Sequence, residues 1–480
     1  MLRADDIEEE MGEIYRDAIR DMSTAIGKFD SVITAFNTNI DAVHFLSSQE
    51  LKEVLSQSNS EDLRKKIWNP ENRIIQKEDF LSGLLLSMKT GIGMEWIIRN
   101  RKVFDWIQKN FPVNEYRMGG FAGIVANTLA RLGVKEVYPH VASLPELQAR
   151  LFINDGRIKI PVEDDGGLQF KNPLEAIRHG DDPLIHWIFE YDEGVKAEVN
   201  GGIVAPQANR FIATWDERNT RLHIDKGFLR GTREIIENVN LALISGYHMM
   251  VKSEDFSERS CLKKIGFTRK LLGEWKEAGD VKVHLELAHF TDLDVLKAVL
   301  VYLSDVVDGI GLNESELAQC VSCLGERELS RAIVEESKIE TFLEGLFYLV
   351  RRLDIGKIVV HTRDFCIAMS RKPVEKNLLS AVAAGNCVAI AKAATGRLSN
   401  LEEIRKILRE RKIHWSSKGL SGFHMFTDKL KKMGYQLLDD FSFDVDNYVI
   451  WFMPMRVIER PASTVGLGDC FAAGYSLLAY

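Results

Sequence analysis

The chain lacks a basic surplus. Its 480 residues carry 62 Lys plus Arg against 70 Asp plus Glu, so the formal charge is 62 − 70 = −8. Phosphate-backbone binding needs a clustered basic footprint, so nucleic-acid recognition is not expected as its main business. Cysteine is scarce too. There are six, all in the second half: Cys261, Cys320, Cys323, Cys366, Cys387 and Cys470. That excludes a disulfide scaffold and fits a reducing compartment. Cys320 and Cys323 form a lone C-x-x-C with neither a second pair nor matched histidines nearby, so no zinc site is expected. The sequence also lacks a basic-then-apolar leader, because residues 1–22 hold eight acids and three bases. The most apolar stretch, Leu378 to Ala391, is interrupted by Ser380, Gly385 and Asn386. It falls short of the about 20 apolar residues that span a bilayer and is read as a buried core helix. A cytoplasmic protein with no membrane partner is expected.

Several phosphate and metal signatures are missing as well. No G-x-x-x-x-G-K-[ST] occurs, Gly91-Ile92-Gly93 has no third glycine or preceding strand, and no H-E-x-x-H exists. A P-loop, a dinucleotide fingerprint and a zincin site are disfavoured.

What is present is a 45% apolar, 28% charged composition, typical of a folded chain. Short β-rich runs at Ser31–Phe36, Val137–Val141, Leu241–Ser245, Val281–Leu287, Val306–Leu312 and Lys357–His361 alternate with amphipathic stretches such as Ala122–Leu132 and Phe342–Leu353. The alternation predicts an α/β fold with a mostly parallel sheet flanked by helices, whose ligands sit at the carboxyl ends of strands. Ile7, Met11, Ile14, Ala18 and Met22 recur at helical spacing and predict an N-terminal amphipathic helix. Two regions break the alternation: a polar, helix-rich 43–115, and 183–225, which reads as strands at Leu184–Tyr191, Arg210–Thr214 and Thr220–Ile224. They are expected to form one smaller, discontinuous α+β lid domain, leaving 1–42, 116–182 and 226–480 to a larger nucleotide-binding and catalytic domain.

The chemistry concentrates near the end of the chain, at Ser463-Thr464-Val465-Gly466-Leu467-Gly468-Asp469. Two glycines permit a sharp turn that exposes N–H groups, and the small apolar residues that follow start a helix. An aspartate repels a phosphate that is merely held. It makes sense if it takes a proton from an attacking hydroxyl while the N–H groups hold the moving phosphoryl. An ordinary N-capping Asp is the alternative. Acids also follow two predicted strands, Glu286 in His284-Leu285-Glu286, and Glu316 in Asn313-Glu314-Ser315-Glu316. The pair suits magnesium, which binds one or two carboxylates plus waters and phosphate oxygens. A capping box between Asn313 and Glu316 is the rival reading.

In their order along the chain these segments resemble the ADP-dependent sugar kinases, the archaeal-type ADP-dependent glucokinase and phosphofructokinase family, which has a ribokinase-like fold. The match takes in Phe36–Asp41, Met118-Gly119-Gly120, Ile185–Glu190, Ala205-Pro206, His284–Glu286, Gly311–Glu316, His361-Thr362 and Ser463–Asp469. The resemblance implies Asp469 as catalytic base, with Gly466, Gly468 and Arg210 serving the transferring phosphoryl. It implies Glu286 and Glu316, with Asp469, at a magnesium or other divalent cation. Asn313, His361, Thr362, Ile458 and Gly468 are implied for ADP. Asn39, Asp41, Glu95, Gly120 and His186 are implied for the sugar. Lys196 is the position that would favour a sugar phosphate, although a surface lysine is the default. A turn at Asn39 and Asp41, a satisfied buried His186 and a solvated Glu95 are the plain alternatives. Phe121 stands where the family commonly has Gln, and Gln207 where an Arg is expected, which bears on substrate identity. The expected activity is transfer of the β-phosphoryl of ADP to glucose, fructose 6-phosphate or both. An ATP-dependent kinase for another alcohol and a non-catalytic nucleotide or sugar sensor are the rivals.

Overall fold

The computed structural model describes residues 4–56, 63, 65–67, 72–164, 166–199, 202–252 and 256–480. Its main element is a ten-stranded sheet. Six strands run parallel, in the spatial order Lys357–His361, Gly309–Leu312, Lys282–Glu286, Val239–Ile244, Ser31–Ala35 and Glu136–Pro139. These are the six runs read from the sequence. Their interiors are apolar because helices cover both faces of a parallel sheet. Beyond Lys357–His361 the sheet continues antiparallel through Phe365–Arg371, Tyr448–Pro454, Ser442–Val445 and Gln436–Asp439.

The apolar stretch near residue 380 is the helix Leu378–Thr395, which packs inside the protein. It crosses the C-terminal helix Leu467–Ala479 at unusually short range. A Cβ on Gly385 would lie 2.8 Å from Phe471 O, and one on Gly474 would lie 2.8 Å from Ala384 O. The N-terminal helix Ala4–Ile26 buries Ile7, Met11, Ala18 and Met22, and turns Glu8, Glu9, Glu13 and Asp17 to solvent.

A second, six-stranded sheet has the order Arg73–Ile74, Met94–Ile98, Asn209–Trp215, Ile185–Tyr191, Asn39–Phe45, Glu115–Gly119. It carries its own apolar cluster, rich in rings such as Phe80, Phe111, Trp187, Phe189 and Phe211. Both regions that break the sequence alternation contribute strands to it. So do residues 39–42 and 116–119, which the sequence reading gave to the larger unit. Thr220–Ile224 is not a strand. Asn219–Arg221 forms a 3₁₀ turn and Leu222 sits at φ 44°. The local hydrogen bonds explain the difference: Asp216 Oδ1 accepts from Asn219 N, and Thr220 Oγ1 donates to Asp216 O. Asp and Thr side chains satisfy the backbone locally and compete with a sheet ladder.

Candidate active site

The carboxyl ends of the parallel strands deliver one group of side chains. Glu286 ends its strand, Asn313 follows Gly309–Leu312, and His361 ends Lys357–His361. Glu286 is 5% exposed. Its two oxygens are met by two imidazoles, His284 Nε2 at 2.9 Å and His361 Nε2 at 2.7 Å. Tyr480 Oη lies 2.9 Å from the other nitrogen of His284 and completes a buried line of hydrogen bonds. Burial works against ionising Glu286, but His361 and His284 outweigh it and hold its carboxyl below the usual range. Gly311 is obligatory beside it, because a Cβ there would overlap Glu286 Oε2.

Glu316 takes the capping-box arrangement that the sequence offered as the rival to a metal site. It completes a capping box, accepting from Asn313 N at 2.8 Å, while Asn313 Oδ1 accepts from Glu316 N. It is also buried, and burial together with the nearby Glu286 pushes its carboxyl up to about 8. Ionisation of Glu316 is therefore disfavoured near the ionised Glu286.

The helix Leu467–Ala479 brings the glycine turn to the same place. Gly466 is its N-cap at φ 70°, a left-handed conformation that a side chain resists, and Asp469 lies in its first turn. Burial, then the charges of Glu286 and Asp41, push the Asp469 carboxyl up to about 7. Asp469 thus sits within electrostatic reach of both sheets, Glu286 on one and Asp41 on the other.

On one side of this turn is a cavity of about 440 Å³. Its walls include Asn313, His361, Thr362, Ile458, Gly468 and Phe471, with Asn386, Ala389, Ile390 and Ala393 of the core helix opposite. All five positions implied for ADP line it. An apolar slot with a few polar groups at one end is the usual form of a small-molecule site.

The second sheet supplies the other cluster. Its strand register sets Asp41 beside His186 and His186 beside Thr214. Asn39 Nδ2 donates to Asp41 Oδ1 at 2.7 Å, and burial lifts the Asp41 carboxyl to about 6. His186 Nε2 is 3.1 Å from Asp216 Oδ2, and its Nδ1 is 3.8 Å from Glu95 Oε1. Thr214 Oγ1 donates to Glu95 at 2.6 Å. Burial alone would lower the His186 ring, but Asp216 and Glu95 raise it. Gly120 caps the helix Phe121–Leu132 at φ 75°, with Asn37 O so close that a Cβ would sit at 2.6 Å. Glu95 and Arg210 line a cavity of about 540 Å³ together with His248 and His289. Lys196 stands apart. It is exposed on the two-stranded ribbon Lys196–Ala197/Ile203–Val204, held by Ser48 through its backbone, and lines neither cavity. Phe121 is buried in the core. Among the described residues no group of three or more His, Cys, Asp or Glu forms a ready metal cage.

The sequence reading missed His284, Asp216, Thr214 and Tyr480. Only His284 left a signal: two residues before Glu286 on one strand, it must share that residue's face.

A family model described as the ADP-specific phosphofructokinase/glucokinase conserved region matches residues 30–478. The chain belongs to that family. Curated members with which it aligns include the ADP-dependent glucose/glucosamine kinase of Pyrococcus abyssi, 30% identical over 96% of this chain and 97% of that one. The ADP-specific phosphofructokinase of Thermococcus zilligii is 28% identical over 92% and 94%. Among solved structures, an ADP-dependent kinase in complex with fructose-6-phosphate and ADPβS matches with TM-score 0.83 at 27% identity, over 99% of both chains. A phosphofructokinase from Pyrococcus horikoshii OT3 with AMP matches with TM-score 0.78 at 28% identity, over 94% and 97%. The fold of this family member is ribokinase-like, a large, mostly parallel sheet flanked by helices.

Proposed function

We propose that this chain transfers the β-phosphoryl group of ADP to a sugar hydroxyl, giving a sugar phosphate and AMP. One observation carries the reading. Asp469, its carboxyl lifted to about 7, stands at a helix start whose Leu467, Gly468 and Phe471 line a nucleotide-sized cavity, and it feels the charge of Asp41 in the polar cluster of Asn39, Asp41, Glu95 and His186. A base with a value near neutrality is suited to taking a proton from a hydroxyl at working pH. Family membership and the ADP dependence of the relatives support ADP as donor.

In this reading the adenosine lies against the core helix, Ile458 and Phe471. Its terminal phosphate points at the N–H groups of Gly466–Gly468, where the helix dipole favours negative charge. Asn39, Asp41, Glu95, His186 and the backbone at Gly120 orient the sugar so that one hydroxyl faces Asp469. Asp469 accepts that proton as the oxygen attacks the β-phosphorus. The bond from the β-phosphorus to the bridging oxygen breaks, and AMP departs with that oxygen. Arg210, on the wall shared with Glu95, would offset charge developing on the phosphoryl.

The carboxylates of Glu286 and Glu316 fit a divalent cation such as magnesium. Both are hard oxygen donors, and burial, with Glu286 nearby, lifts Glu316 to about 8, a penalty that a bound cation would offset. When bound, such an ion neutralises phosphate charge in the transition state. His284 and His361 keep Glu286 aimed and ionised.

The acid-rich acceptor cluster favours a neutral sugar, glucose, over fructose 6-phosphate. Lys196, the cation that would have favoured the sugar phosphate, is remote from Glu95's cavity. Closure of the unit built on the six-stranded sheet over the sugar would exclude water as a competing nucleophile. Free thiols at all six cysteines and burial of the one long apolar helix support a cytoplasmic setting. The test is an AMP-release assay across glucose and fructose 6-phosphate with ADP and ATP as donors. Release of AMP from ADP with glucose is expected, and absence of AMP with either sugar overturns the proposal.

A further inference from the structure

The core contacts of the N-terminal helix leave one side of it facing a concavity outside the site described above. The helix Ala4–Ile26, the helix Leu401–Glu410 and the ribbon His414–Trp415/Arg456–Val457 enclose about 530 Å³. Five arginines line it: Arg16, Arg20, Arg405, Arg409 and Arg456. Glu8 is the one acid among the described residues lining it. This convergence occurs in a chain whose formal charge is −8.

The arginines are poorly matched by acids. Arg405, Arg409 and Arg456 make no ion pair among the described residues. Arg16 and Arg20 pair only along their own helix, Arg16 with Glu13 at 3.3 Å and Arg20 with Asp17 at 3.0 Å and Asp21 at 3.6 Å, and all three pairs are solvent-exposed. Such pairs are weak and readily exchanged for a better anion. Arg456 is the most constrained. Its Cζ lies 5.7 Å from the ring centroids of both Tyr15 and Trp415, and its Nε is buried with no hydrogen-bond partner. A solvated basic face would not draw arginines from three elements into one hollow, nor leave a buried guanidinium nitrogen unsatisfied.

We propose that this hollow is a binding site for a small polyanion carrying two or more phosphate charges, and that its occupancy is felt in the nucleotide cavity. Concavity and size favour a small molecule over an acidic protein or a membrane, which would meet a broad flat surface. Guanidinium groups bind phosphate oxygens in bidentate fashion, and several acting together select for high negative charge. The link to the nucleotide cavity is short. Arg456 lines both spaces, and Val457 and Ile458 after it line the nucleotide side. Tyr15 Oη donates to Asn386 Oδ1 at 2.5 Å, and Arg456 N donates to the same oxygen at 3.2 Å. Asn386 is itself part of the nucleotide cavity wall. An anion drawing Arg456 outward therefore pulls on the strand and the amide that shape the donor site.

The coupling, though not the binding, rests on reading that cavity as the donor site. The test is calorimetric titration of the full chain with tripolyphosphate, pyrophosphate, fructose 1,6-bisphosphate and ATP, each with AMP held at saturation to fill the donor cavity. The same titrations are run on Arg405→Gln/Arg409→Gln, two exposed positions remote from the catalytic groups. We expect at least one probe to bind the parent chain in a salt-sensitive way, at least tenfold more weakly to the double variant, with the affinity for AMP the same in both. That probe should shift the KM for ADP at least twofold in the parent and leave it unchanged in the variant. The site is overturned if no probe binds, if both proteins bind equally, or if acidic peptides or anionic vesicles bind in their place. Arginine-dependent binding with no change in KM overturns the coupling. If AMP fails to bind while tripolyphosphate still binds through the arginines, the donor-site reading fails and the anion site stands.

Discussion

In the proposed phosphoryl transfer, Asp469 and Glu286 would divide the work by environment. One carboxyl is lifted by burial and neighbouring acids, the other is held ionised by two imidazoles. Asp469→Asn should lower kcat by about 10²- to 10⁴-fold, the range for loss of a positioned base, with the fold intact by circular dichroism. The same change has a stability signature. The folded Asp469 carboxyl lies near 7, above its unfolded value of 3.8, so ionising it opposes folding as pH rises through that window. Without divalent ions, the variant should melt higher than the parent at pH 8, and the gap should vanish near pH 4. The parent's rate should fall below about pH 7 as Asp469 takes up its proton. Because Glu286 contributes to the shift, added divalent cation should move that limb to lower pH. Gly311→Ala tests Glu286 by geometry. A Cβ must displace its carboxylate, so divalent-cation activation should weaken at least tenfold, while a change confined to thermal stability would speak against the placement.

Among the elements, the parallel strands were the most legible. Ser31–Ala35 and Lys357–His361 are covered on both sides, so their residues form runs that only a buried strand tolerates. The antiparallel strands Phe365–Arg371 and Tyr448–Pro454 were less legible because each follows the strand before it, Lys357–His361 and Ser442–Val445, with no helix between, so the strand–helix alternation that flags an α/β unit stops there. Thr220–Ile224 misled for the opposite reason, since its β-branched residues sit in a turn that Asp216 organises from outside the segment. In the site, motifs that combine glycine with acid within a few residues were readable, as at Gly466–Asp469. Pairings made across the sheet, such as His186 with Asp216 and Glu95 with Thr214, leave no local trace. The contact of the helices Leu378–Thr395 and Leu467–Ala479 gives an element-scale prediction. Gly474→Ala should destabilise the chain by about 1–3 kcal/mol through overpacking against Ala384 and Val388, measured by urea unfolding. Because the second helix carries Asp469 in its first turn, kcat should fall as well, whereas an effect on stability alone would mean that the helix start is held independently.

For the whole molecule, the proposed reaction divides between the two sheets. The ten-stranded sheet would offer the nucleotide cavity and the carboxylates for a cation, and the six-stranded sheet the polar cluster for the sugar. The chain's negative charge does not conflict with anionic substrates in this arrangement, since backbone N–H groups, a cation and a few placed arginines would carry the phosphate. Chelation of divalent ions should therefore abolish turnover without unfolding the chain, both cores being built without metal. The most direct measurement is product analysis with glucose and a single donor at a time, on the parent chain and on Asp469→Asn. The account predicts AMP and a sugar phosphate in equal amounts from ADP, and a loss of at least a hundredfold in the variant. Turnover with ATP but not ADP, or a variant as fast as the parent, would contradict it.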